Sequence, residues 1–224
     1  MTLKYIEKRV SLLLPWGVGL TTIFVLTGSI SDPVNTTKLL LAGAFAGALL
    51  FVLGVKGITS IWDKNKLFVS ALGLFVIFSI WAILMSDSPL VQNIYGVYGR
   101  NTGLVTYFLL ILLFISALAL SQKASFLKVS YGLLAAGVVN AVYSLWVITF
   151  GDFIGWTNPY GNILGTLGNP NFIGSFLGIF FTAYLAFALS KSASKVMKYS
   201  VLVVLPITAF EIYDSHAIQG RVVA

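Results

Sequence analysis

The chain repeats one arrangement from end to end: an apolar run long enough to cross a bilayer, then a short connector that holds the charges. Such runs lie at about residues 12–30, 39–55, 67–85, 104–120, 129–150, 172–189 and 197–213, and an eighth is expected to begin after Gly220. A hydrocarbon layer of roughly 30 Å needs about 20 apolar residues in a helix. Unpaired backbone groups are costly in lipid, so a spanning segment must be a helix or part of a closed barrel. Runs this long, without alternation, predict helices. The expected fold is an all-α polytopic transmembrane bundle of about seven spans plus the start of an eighth, in one domain over residues 1–224. Composition agrees: 58% of the 224 residues are hydrophobic and 9% are charged, against roughly 25% charged in an ordinary soluble domain.

The charges set the orientation. The N-terminus and the connectors 56–66, 121–128 and 190–198 hold eleven of the 14 Lys and Arg residues; the alternate connectors hold only Lys38, Arg100 and Arg221. Positive charge is retained on the cytoplasmic side of short loops. The N-terminus is therefore expected in the cytoplasm, and the two long loops, 86–103 and 151–171, outside it. The net charge of +7 reports topology and gives no support for nucleic-acid binding. Lys4, Lys8 and Arg9 before an apolar stretch resemble a secretory signal, but no A-x-A-like site follows, and the run is expected to stay as a helix. With no cysteine and one histidine, His216, neither thiolate nor His-cluster metal sites are available.

Within the spans, the pairs Gly43/Gly47 and Gly174/Gly178 have the GxxxG spacing that lets helix backbones approach. Asn140 is the polar residue expected deep in a span, where its simplest role is an interhelical hydrogen bond.

Candidate site residues fall on the outer side. Arg100, in VYGRNTGLVTY, departs from the local charge trend. Its planar fork of donors suits phosphate, and an interfacial anchor or a partner for Asp87 is the alternative. Tyr95, Tyr98, Tyr107, Trp156 and Tyr160 could stack on sugar faces or form the usual interfacial aromatic belt. The loop GDFIGWTNPYGNILGTLGNPNFIG has two Asn-Pro turns and is expected to be folded, with Asn171 as the N-cap of the sixth span. Past the seventh span, EIYDSHAIQGRVVA gathers Glu211, Asp214, Ser215, His216, Gln219 and Arg221 at the outer boundary. Adjacent residues on a helix point apart, so Asp214, Ser215 and His216 cannot form a catalytic triad.

GTLGNPNFIGSFL at 165–177, YGRNTGL at 98–104, SHAIQG at 215–220 and, more loosely, DPVNTTKLL at 32–40 together resemble the O-antigen ligase and polymerase superfamily of bacterial membrane proteins. The resemblance implies a metal-independent glycosyltransferase without cofactor, located in the cytoplasmic membrane. Its substrate would be glycan carried on undecaprenyl diphosphate at the outer face. It places Arg100 on the lipid diphosphate, Asn169 and Asn171 in the adjacent loop, and Arg221 as a second cation; it assigns no catalytic residue here. Members of that family continue through further helices and a large outer loop, so this chain is expected to be the N-terminal part of a longer protein. The competing expectations are a transporter or flippase for lipid-linked glycan, which should bury polar residues in several spans, and a noncatalytic remnant or scaffold.

Overall fold

A computed structural model describes residues 2–27, 32–154, 158–191 and 193–224. Among them all regular structure is helical. The helices are α1 (Leu3–Ile23), α2 (Asn35–Lys64), α3 (Lys66–Leu84), α4 (Leu90–Tyr95), α5 (Leu104–Leu118), α6 (Lys123–Phe150), α7 (Pro170–Leu189), α8 (Lys195–Asp214) and α9 (Ile218–Val223), with one 3-10 turn at Gly165–Leu167. Five helices, α2, α3, α6, α7 and α8, are long and apolar enough to cross a membrane. This is the pattern of a multi-pass membrane protein.

Two expected spans differ from that standard. The run placed at 12–30 is the helix Leu3–Ile23. Buried Ile6, Val10 and Leu14 continue one helical face back through the charged first turns, and the charges there take α1 out of the spanning class. α5 has fifteen residues, about 22 Å at 1.5 Å per residue. The connector expected at 56–66 is also helical. α2 runs on to Lys64 across a break at Gly54 (φ 52°, ψ −172°), a conformation that glycine adopts readily. Beyond the break, Gly57 and Ile61 are buried, so this stretch has an inward face of its own. α4 lies in the loop expected at 86–103 and was not expected as a helix, while α9, six residues long, begins at Ile218, two residues before the Gly220 after which the eighth span was expected to begin.

The chain divides into two compact units, Met1–Thr21 with Asn35–Tyr131, and Thr22–Val34 with Gly132–Ala224. In the first, α2 packs against α5 and α3, and α4 lies on α5. Its core joins Ile6, Val10 and Leu14 of α1 to Leu49, Leu53 and Ile61 of α2. α3 buries no residue; Phe78 and Leu84 are 67% and 70% exposed, an arrangement that suits contact with lipid. In the second unit α7 packs against α8, α9 and the 3-10 turn, around Ile173, Leu177, Phe180 and Ile212.

Candidate functional site

Arg100 stands on a loop closed at its base by two glycines. A Cβ at Gly96 would lie 2.3 Å from Thr102 N, and one at Gly103 would lie 2.3 Å from Gly96 N and from Ile94 O. Both backbones are too close for any side chain, and Gly96 has φ 90°. Inside the loop, the N–H groups of Arg100 and Asn101 donate to Val97 O (3.0 and 3.2 Å). Asn35 Nδ2 donates to Gly99 O (2.7 Å), and Asn101 Nδ2 reaches Thr36 Oγ1 (3.5 Å). The sequence stretches NTTKLL and YGRNTGL thus meet in the first unit. The result is a fixed backbone with Arg100 exposed at its tip. Among the described residues no acidic side chain pairs with Arg100, so Asp87 is not its partner. Beside the loop opens a cavity of about 350 Å³ lined by Phe75, Ser79, Gln92, Asn93, Thr102 and Tyr107. Tyr95, Tyr98 and Tyr107 are all exposed.

The GNPN segment belongs to the second unit and is locked by a residue from α6. Asn140 is fully buried. Its Oδ1 accepts from Thr166 N–H (2.9 Å) and lies 2.8 Å from Thr166 Oγ1, while its Nδ2 donates to Ala136 O (3.1 Å). Thr166 Oγ1 is also 3.0 Å from Thr22 O. Gly165 (φ 54°) turns the chain where a Cβ would strike Ile173 Cδ1 at 2.3 Å. Earlier in the loop Asn158 folds the chain on itself, accepting from Tyr160 N–H (3.0 Å) and donating to Asn162 O (2.8 Å). The expectation of a folded loop holds for these residues; Trp156 lies outside the described residues.

The cap of α7 is Asn169, not Asn171. Asn169 is extended (φ −152°, ψ 132°) and its Oδ1 accepts from Asn171 N–H at 2.9 Å. Pro170 explains the shift: its fixed φ suits the first helical position, where its missing N–H costs nothing. Asn171 therefore lies inside the first turn, with an exposed side chain.

SHAIQG packs directly on α7. A Cβ at Gly174 would lie 2.6 Å from both Ala217 Cβ and Ser215 Oγ, and one at Gly178 would lie 2.8 Å from Gly220 O. The backbone approach expected of Gly174 and Gly178 is present. It is absent at the other pair: Gly43 faces only Leu109 Cδ1 at 3.7 Å, and Gly47 has open space. Arg221 sits over the Tyr213 ring at 5.1 Å and reaches Tyr213 O at 3.4 Å. Ser215 Oγ donates to Ile212 O (2.7 Å), and His216 is exposed with φ 53°, so these residues form no relay.

Of the site residues expected from sequence, Arg100 lies in the first unit, and Asn169, Asn171 and Arg221 lie in the second. The second unit also hides more polar groups than Asn140 alone. Ser144, Thr208 and Glu211 are each 0% exposed. Neither oxygen of Glu211 meets a hydrogen-bond donor among the described residues, nor does Ser144 Oγ. The sequence placed Glu211 at a polar boundary; the helical register of α8 turns it inward beside Ile212 and Thr208. No protein-family model, curated protein or solved structure matches this chain.

Proposed function

We propose that this chain is an O-antigen ligase-like membrane glycosyltransferase, or the N-terminal part of one, acting on undecaprenyl-diphosphate-linked glycan at the outer face of the cytoplasmic membrane. The motifs that resemble that superfamily motivate the reading. The observation that carries it is Arg100, exposed and without an acidic partner among the described residues, on a loop whose base admits only glycine. In the reaction an acceptor hydroxyl attacks the anomeric carbon, the bond from that carbon to the lipid diphosphate breaks, and charge grows on the departing phosphate. A preorganised guanidinium stabilises that charge most where the backbone holding it need not rearrange. Asn169 fixes the entry of α7, and Asn171 and Arg221 are the other assigned contacts to lipid-linked glycan. These four are binding residues. Arg100→Ala should lose glycan transfer in membranes, with Arg100→Lys recovering part of it, because a lysine keeps the charge and loses the fork. Unchanged product from Arg100→Ala would reject the assignment.

A second reading, transport of the same lipid, is favoured by one observation: fully buried Glu211 in α8. Ionisable groups inside membrane helices commonly mark a transport path. Lipid-linked glycan movement across proteoliposomes that stops in Glu211→Gln and survives Arg100→Ala would select transport over transfer.

A further inference from the structure

A second cavity in the first unit lies toward the far ends of α2 and α5 from the Arg100 loop. It measures about 610 Å³ and is bounded by the start of α1, the part of α2 beyond Gly54, and residues 118–122 at the end of α5 and the following connector. This is within the size of sites for small ligands, roughly 300–1,000 Å³. Leu3, Ile6, Ile61 and Leu120 give it apolar wall, while Lys4, Lys64, Ser60 and Gln122 give it polar wall.

Its one acidic residue is already occupied. Glu7 Oε1 accepts from Ser121 N–H (2.9 Å), Gln122 N–H (2.8 Å) and Ser125 Oγ (3.1 Å), and Oε2 accepts from Ser121 Oγ (2.6 Å). The carboxylate from α1 thereby takes up the free donors at the start of α6. The cavity's cations are in the opposite condition. Lys4 and Lys64 are exposed, and among the described residues neither makes a side-chain hydrogen bond or ion pair. Two uncommitted ammonium groups against one carboxylate whose oxygens are already taken up by hydrogen bonds, together with an apolar wall, fit an anion that brings hydrocarbon with it. Basic pockets between membrane helices hold anionic headgroups on this physical basis.

We infer that this cavity binds the phosphodiester headgroup of an anionic phospholipid, with Lys4 and Lys64 on the phosphate and the apolar wall against the first part of the acyl chains. The inference is independent of the glycan reading.

The test is binding of water-soluble short-chain phosphatidylglycerol to the whole chain purified in a neutral detergent, followed by native mass spectrometry and thermal unfolding. Short-chain phosphatidylcholine and inorganic phosphate are the comparison ligands. Phosphatidylglycerol should bind and raise the unfolding temperature, phosphatidylcholine should bind far less, and inorganic phosphate at equal concentration should neither bind nor compete. The double variant K4Q/K64Q should weaken phosphatidylglycerol binding about tenfold or more. K195Q/K198Q, which removes the same charge from α8, should leave binding unchanged. Ser60→Trp keeps both lysines and fills the cavity, and should also abolish binding. Wild-type affinity in K4Q/K64Q or in Ser60→Trp, or equal loss in K195Q/K198Q, would overturn the site. Equal competition by inorganic phosphate would overturn the lipid as its occupant.

Discussion

The two units each bury a glutamate, and they treat it in opposite ways. In the first, Glu7 of α1 is met by four hydrogen bonds from Ser121, Gln122 and Ser125. In the second, Glu211 of α8 is more deeply buried and neither oxygen has a donor among the described residues. A buried carboxylate that is fully hydrogen-bonded ties elements together, whereas a buried polar group without partners weakens the fold that holds it. Glu7 is thus a structural clasp between the start of α1 and the start of α6. Glu211 has no such return in stability. The glycine pairs repeat the contrast. Gly174 and Gly178 are pressed against residues 215–223, while Gly43 and Gly47 touch almost nothing.

The largest expected effect is at Glu7. Glu7→Ala leaves the Ser121, Gln122 and Ser125 donors without their acceptor and should cost about 2–4 kcal/mol of unfolding free energy. Glu211→Gln replaces a buried carboxyl that has no hydrogen-bond donor among the described residues with an amide of nearly the same shape and should be neutral or stabilising. Reversibly unfolding both variants in detergent compares them directly, and equal losses would break the contrast. Next, Gly174→Ala forces a methyl into Ala217 and Ser215 and should cost about 1–3 kcal/mol, while Gly43→Ala should stay within about 0.5 kcal/mol. Asn140→Leu strips the acceptor from Thr166 N–H inside the second unit and should cost about 1–3 kcal/mol. Faster proteolysis within 158–169 should accompany it.

The smallest effect is pH dependence. Burial alone raises the pKa of Glu7, but the hydrogen bonds from Ser121, Gln122 and Ser125 outweigh it and hold the carboxyl down at about 2, against 4.5 for the free group. The folded value is the lower one, so the unfolded chain binds the proton more readily. The clasp's contribution is complete above about pH 4.5 and fades as pH falls toward 2. Glu7→Gln should flatten the acid limb of the stability curve across that window; an unchanged limb would assign it to other carboxylates.

Much of this organisation is legible in the sequence because it rests on local rules. Long apolar runs mark α2, α3, α6, α7 and α8, and Asn-Pro before an apolar run marks the start of α7. The cap stands two residues before the Asn171 expected from sequence, because the proline takes the first helical position and leaves Asn169 as the cap. What stayed hidden depends on distant partners. Nothing near Glu7 in sequence foretells donors at 121–125, and nothing near Asn140 foretells Thr166. Gly43/Gly47 and Gly174/Gly178 share one spacing, and only the second pair has a segment packed against it. Glu211 reads as part of a polar boundary until the turn of α8 is known. Arg100 stood out by its sign and place, but the glycine closure beneath it becomes visible only when Gly96 and Gly103 meet.

The central claim is that Arg100 holds the departing lipid diphosphate during glycan transfer. It is tested most directly in membranes carrying the whole protein, supplied with lipid-linked glycan and acceptor, with wild type, Arg100→Ala and Arg100→Lys matched for protein level. The expected result is product from wild type, little or none from Arg100→Ala with lipid-linked donor accumulating, and partial recovery in Arg100→Lys. Wild-type product from Arg100→Ala would contradict the account.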